Sequence, residues 1–207
     1  MGRARSRRCF VRSAESAAAF LDTANWGPGR EAYGFNAGAF SLVDMLGAIV
    51  ERTGAASLTL STWTAAGADM ARVSAFLDRG LITGTRWLVD RSFLNRQPAL
   101  CAELRQRFGD DSIRVLRCHA KFALIAAEGW RVVLHTSANL NENRRIESFQ
   151  VIEDPDFYTA YEALAEEVFD FQAPGDGFGA HAAISATMAE VGVQKPGRRP
   201  KTVRRPW

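Results

Sequence analysis

The spacing of apolar residues changes period several times along the chain, and each change marks an element. Leu42, Met45, Leu46, Ile49 and Val50 recur at i, i+3, i+4, i+7 and i+8, one stripe of a helix. Ser41 stands where a cap belongs, Asp44 falls in the first turn and Gly54 ends the run. Ser57 to Thr64 then reads as a strand, and Ala68 to Arg79 as a helix with Met70, Val73, Phe76 and Leu77 on one side. Thr83 to Leu88 is a second strand, and Pro98 opens a helix that runs to Phe108. From Ile113 the pattern is β again. Two dense apolar runs flank Glu128-Gly129, with Phe122 to Ile125 before it and Val132 to Leu134 after. Glu147 to Ile152 is a further strand, and Asp154-Pro155 starts a helix to Phe171. Before all of these, Ala14 to Leu21 suggests a short helix. Asn25 to Phe40, rich in Gly, Asn and aromatics, reads as loop.

The resulting order is α-β-α-β-α-β-β-β-α. Strands separated by helical crossovers predict an α/β domain with a mixed, mostly parallel sheet and helices on both faces. In such sheets ligands sit beyond the carboxyl ends of strands, where Trp63, Asp90 and Arg91 fall. The sequence shows no internal repeat, no P-loop and no G-x-G-x-x-G.

The polar residues of the apolar hairpin carry the candidate chemistry. His119 and Lys121 are two apart at one end, and Ser137 and Asn139 are two apart at the other. In strands, residues two apart share a face. If the runs pair across Glu128-Gly129, all four gather at one end of the sheet. An imidazole, an ammonium and an amide placed together can attack and grip a phosphate. His135 shares strand parity with Ser137 and Asn139 and is expected to be structural. Arg144 and Arg145 follow closely enough to meet flanking phosphates.

His119-Ala120-Lys121, then Thr136-Ser137-Ala138-Asn139, then Glu147, resembles the active-site signature of the phospholipase D superfamily, H-x-K-x4-D, G-S-x-N and a downstream Glu. The sequence departs from it at Ala126, where the motif has Asp, at Thr136, where it has Gly, and in a longer hairpin. The resemblance implies a phospholipase D-like fold and a metal-independent phosphodiesterase in which His119 forms a phosphohistidine. Lys121 and Asn139 would hold the non-bridging oxygens, with Ser137, Thr136, Arg145 and Trp63 around the substrate. Glu147 would accept a hydrogen bond from the far nitrogen of His119. A single motif copy implies a homodimer with a shared site. No cofactor or metal is implied.

Composition sharpens the substrate. The chain has 207 residues, 47% of them hydrophobic and 24% charged, enough for one domain with tails. The net charge of +3 is unevenly spread. Residues 1–12 carry five Arg and residues 195–207 six Lys or Arg, with no acid in either segment. Without these eleven, 15 basic residues stand against 23 acidic ones. The expected organisation is a disordered basic arm over 1–13, a catalytic domain over 14–175 and a flexible basic tail over 176–207. Basic arms suit phosphate backbones, so nucleic acid, DNA first, is the expected partner. Three cysteines without a CxxC pair fit a reducing cytoplasm. No apolar run is long enough for a membrane span and no stable membrane association is expected. Two alternatives stay open, a phospholipid-directed phosphodiesterase and a weakly active nucleic-acid-binding module, the latter favoured by Ala126.

Overall fold

The computed structural model describes residues 7–141 and 145–177. Eight strands and six helices follow one another as β1 (Arg7–Val11), α1 (Ala17–Thr23), β2 (Arg30–Phe35), α2 (Leu42–Thr53), β3 (Ala56–Thr62), α3 (Gly67–Asp78), β4 (Ile82–Asp90), α4 (Arg91–Arg96), α5 (Pro98–Phe108), β5 (Ile113–Leu116), β6 (Phe122–Ala127), β7 (Trp130–Thr136), β8 (Ser148–Glu153) and α6 (Pro155–Phe171). The strands form one mixed sheet in the order β1-β2-β8-β7-β6-β3-β4-β5.

The sheet is mostly antiparallel, not mostly parallel as the alternation of elements predicts. Helical crossovers make three parallel pairs, β1 with β2, β3 with β4 and β4 with β5. The β6-turn-β7 hairpin and β8 occupy the middle of the sheet and run against both flanks, which creates four antiparallel pairs. The short turn forces β6 and β7 to run oppositely, and the outer strands β6 and β8 each run against the flank they meet.

Local chemistry explains the helices. Ser41 and Asp44 close a reciprocal capping box on α2: the Ser41 hydroxyl accepts the Asp44 N–H at 3.2 Å and the carboxylate accepts the Ser41 N–H at 2.7 Å. Asp154 accepts two backbone N–H groups at the start of α6, with Pro155 at its first position. Arg7–Val11, expected in a disordered arm, forms the edge strand β1, and Arg30–Phe35, expected in a loop, forms β2. Here burial does not follow polarity, with Phe10 and Phe35 exposed and Glu31 buried, so the sequence shows no clean alternation. Arg8 reaches Glu31 at 2.8 Å across the pair. Residues 1–6 and the tail from 178 onward lie outside the described residues.

One face of the sheet is covered by α1, α2, α3 and α5, whose Phe20, Leu46, Met70 and Leu104 are buried in the larger core with Trp87 and Phe149. On the other face α6 packs Tyr158, Ala165 and Val168 against Leu88, Leu116, Phe122, Leu124 and Val133. Those residues belong to β4, β5, β6 and β7, so the cover on this face is partial. Near the β1 edge Phe10 is 64% exposed and meets Phe35 edge to face. No described helix is long and apolar enough to cross a membrane.

β1 joins the sheet through a close approach at Gly34, where an added Cβ would meet the Val11 carbonyl oxygen at 1.9 Å and the Phe20 ring at 2.9 Å. A backbone atom cannot rotate away. Gly34→Ala is therefore expected to lower unfolding free energy by about 1–3 kcal/mol, read as a lower urea midpoint. An unchanged midpoint would show that β1 is not held at this distance.

Candidate active site

Strand register brings the site together. Across one end of the sheet, Val89 faces Thr62, Ser61 faces Phe122, Phe122 faces His135, Thr136 faces Phe149 and Ser148 faces Phe35. The carboxyl ends of β2, β3, β4, β5 and β7 and the amino ends of β6 and β8 thus share that end. His119 and Lys121 lie just before β6, Ser137 and Asn139 just after β7, Glu147 just before β8 and Trp63 just after β3. The expected gathering at one end is observed, but the side chains leave loops and not the strands themselves.

Each loop is fastened by a buried or half-buried polar group, as its freed backbone requires. Asp90 accepts the Cys118 N–H at 3.0 Å and also caps α4 through the Ser92 N–H at 2.8 Å. The Ser61 hydroxyl donates to the Ala120 carbonyl at 2.9 Å. The Thr136 N–H donates to the Lys121 carbonyl at 3.2 Å, so the hairpin ladder continues into the loops. The 137–141 segment crosses to the end of β3, where the Ala66 N–H donates to the Leu140 carbonyl at 2.7 Å. Asn36 anchors the start of β8, accepting the Glu147 N–H at 2.8 Å and donating to the Phe40 carbonyl at 2.6 Å. Neither Asn36 nor Ser61 stands out in sequence; Asn-x-Gly at 36–38 is the only hint, and it signals a turn.

His119 is exposed and Lys121 half-buried. The Lys121 Nζ donates to the His119 carbonyl at 2.9 Å and stands 3.4 Å from His119 Nδ1. Trp63 meets the imidazole edge to face, with ring centres 5.4 Å apart. On the other loop the Ser137 hydroxyl donates to the Glu147 carboxylate and accepts the Ser148 N–H at 3.0 Å. Its proton is thereby committed, and a substrate oxygen would have to compete with a carboxylate for it. Thr136 is likewise occupied, donating to the Ser148 carbonyl at 2.8 Å and accepting the Ala138 N–H at 3.0 Å. Asn139 keeps a buried amide oxygen with no hydrogen-bond partner among the described residues. Arg145 is exposed, and Arg144 lies outside the described residues. His119 and Glu147 share no hydrogen bond, contrary to what the resemblance implies. The carboxylate is turned to Ser137.

Ala126 pairs with Ser57 and Arg131 near the Glu128-Gly129 turn. It stands five positions after Lys121, roughly 17 Å along β6. A carboxylate at this position would sit away from His119, so its loss removes nothing from the cluster. His135 is not at the cluster either. Phe122, Phe157 and Tyr161 surround it, with ring centres 6.4, 6.0 and 4.9 Å away, and its Nε2 is buried without a partner among the described residues. Among those residues no group of three or more His, Cys, Asp or Glu is placed to hold a metal ion. His181 lies outside them.

Burial lowers the His135 pKa below the ordinary 6.5. The folded chain therefore binds the proton less readily than the unfolded chain, and protonation favours unfolding. Stability is full above the unfolded value and declines as pH falls below it. The urea midpoint should drop between about pH 7.5 and about pH 5.5, and His135→Phe should shrink that drop. An identical pH profile in the variant would show that the imidazole does not govern this range.

No family model matches the sequence, and no curated protein matches it. Solved structures do. The chain is similar to NucT from Helicobacter pylori at 14% identity, covering 68% of this chain and 97% of that one with a TM-score of 0.48. It is similar to a phospholipase D family member, Nuc from Salmonella typhimurium, at 13% identity, covering 68% and 93% with a TM-score of 0.45. It is also similar to polyphosphate kinase from Porphyromonas gingivalis at 15% identity and a TM-score of 0.50, covering 70% of this chain but only 27% of the kinase. These likenesses are of fold alone.

Proposed function

We propose that this chain is a phosphodiesterase that hydrolyses nucleic acid, DNA first, through a phosphohistidine and without a metal ion. The observation that carries the reading is an exposed imidazole at the end of the sheet with an ammonium 3.4 Å away. Arginine-rich segments at both chain ends supply the attraction to a phosphate backbone.

In this reading a His119 ring nitrogen attacks phosphorus, a P–N bond forms and the bond to the leaving oxygen breaks. The leaving oxygen takes a proton. Water then adds to phosphorus and the P–N bond breaks, which restores the imidazole. The Lys121 ammonium and the Asn139 amide N–H groups bind the non-bridging oxygens, where charge grows in the transition state. A phosphate oxyanion is a stronger acceptor than a ring nitrogen, so substrate draws Lys121 away from Nδ1. Ser137 and Glu147 act as a pair that sets the loop before β8, with Thr136 bracing it. Trp63 orients His119 through ring contact, and Arg145 meets the strand at the rim.

Two-step transfer needs a second acid-base group for the leaving oxygen and the water. The sequence has three histidines. His135 is caged and His181 is outside the described residues, so a second copy of the chain, related by a two-fold axis, is the proposed source.

The test is cleavage of plasmid and single-stranded oligonucleotides in excess chelator. Cleavage should persist and should fall by at least about 10³-fold in His119→Ala. Acid-labile phosphoryl label should appear on His119 during turnover of labelled substrate. Cleavage that requires added divalent metal, or that survives in His119→Ala, overturns the proposal.

A further inference from the structure

We propose that Arg96 binds the phosphate next to the one attacked, so that the site takes a polynucleotide strand and not an isolated phosphodiester. The inference rests on the reading of His119 as the attacking group and deepens it by naming the substrate class.

Trp63 touches both Arg96 and His119. The Arg96 guanidinium carbon sits 3.6 Å from the centre of the indole, stacked on its face, and the indole centre is 5.4 Å from that of the imidazole. Laid end to end, these distances put the guanidinium no more than about 9 Å from the His119 ring. Successive phosphorus atoms of one strand are six bonds apart, roughly 6–7 Å, each with one negative charge. A strand whose phosphate touches His119 therefore brings a neighbouring phosphate within reach of Arg96. A phosphodiester with a single phosphorus has nothing to offer there.

The guanidinium is already oriented for this. Its Nε donates to the Ser92 hydroxyl at 3.3 Å and one Nη2 proton donates to the Trp63 carbonyl at 3.2 Å. Of five N–H groups, two are used. Both protons of Nη1 and one of Nη2 remain, which is the paired edge that grips a phosphate. Stacking on the indole restrains the remaining freedom, so less rotamer entropy is lost on binding. No carboxylate among the described residues pairs with Arg96, although six arginines elsewhere form ion pairs with carboxylates, Arg8, Arg52, Arg72, Arg86, Arg105 and Arg107. An exposed arginine held in place, with no carboxylate partner among the described residues and with Asp90 reached only through the Ser92 hydroxyl, is disposed for an anion.

Binding and turnover separate the two readings. Binding is measured by fluorescence anisotropy with labelled pentathymidylate, in His119→Ala protein so that the strand stays intact, with and without Arg96→Gln. Arg96→Gln should weaken binding about tenfold and lower the log–log salt slope by about 0.7, the value for one single-strand contact. Replacing the linkages one at a time by neutral methylphosphonate should locate one position that costs the arginine protein about tenfold and costs the Arg96→Gln protein nothing further. Arg96→Lys, which keeps the charge without the planar fork, should lie between. An arginine that only props Trp63 would leave the salt slope unchanged and let every neutral linkage cost both proteins equally. Either result, or no binding of pentathymidylate at all, overturns the proposal. Turnover of bis(p-nitrophenyl) phosphate, which has one phosphorus, tests His119 alone. If His119→Ala turns it over as fast as the unaltered chain, the reaction fails as read, while the salt and methylphosphonate results still decide Arg96.

Discussion

The register of the β6–β7 hairpin is the constraint on which the rest depends. Phe122 opposite His135 places Lys121 opposite Thr136, and with them the loops that carry His119 and Asn139. Hydrophobicity does not set this register by itself. Ala123, Leu124, Ile125, Val132, Val133 and Leu134 are all fully buried, so both faces of the pair are apolar and a slip of one residue would still bury apolar groups. What fixes it is the two-residue connection Glu128-Gly129, with Gly129 at φ 72° in the left-handed region, together with the flanking pairings to β3 and β8. Burial supplies the free energy, about 1.5–3 kcal/mol for each large aliphatic side chain, and the turn decides which residues meet.

Beyond the strands, small polar side chains take over from the ladder. Asp90, Ser61, Thr62, Asn36, Thr136 and Ser137 each satisfy a backbone group of a loop that leaves the sheet. Loops so anchored hold their side chains without needing a core of their own. The same economy explains why Ser137 and Thr136 have few free donors. Their hydrogen bonds are spent on the chain, while the Lys121 ammonium retains donor capacity for a ligand.

Charge follows the same division. The ion pairs of Arg52, Arg86 and Arg105 lie on the flanks of the fold and are surface contacts of small energetic consequence. At the end of the sheet Lys121 and Arg96 are instead held by carbonyls, a hydroxyl and an indole, with no carboxylate partner among the described residues. That arrangement raises the local attraction for an anion and costs little, because both groups keep contact with solvent.

Periodicity alone determined α2, with its capping box at Ser41 and Asp44, the start of α6 at Asp154-Pro155, and the apolar hairpin around Glu128-Gly129. Each of these is written in contiguous residues whose local preference and burial agree. The gathering of His119, Lys121, Ser137 and Asn139 at one end was legible for the same reason, since it follows from antiparallel pairing across a short turn. Other features came only with the tertiary structure. β1 and β2 look like arm and loop because burial there does not follow polarity, so no alternation betrays them. The antiparallel majority depends on where the hairpin is inserted, which no local pattern encodes. Ala126 is remote from His119, and Glu147 turns to Ser137, because strand length and loop path set those distances. Arg96, 33 residues after Trp63, meets the indole that also touches His119. Local sequence specifies which elements form, whereas the meeting of residues far apart in the chain depends on how the sheet orders its strands.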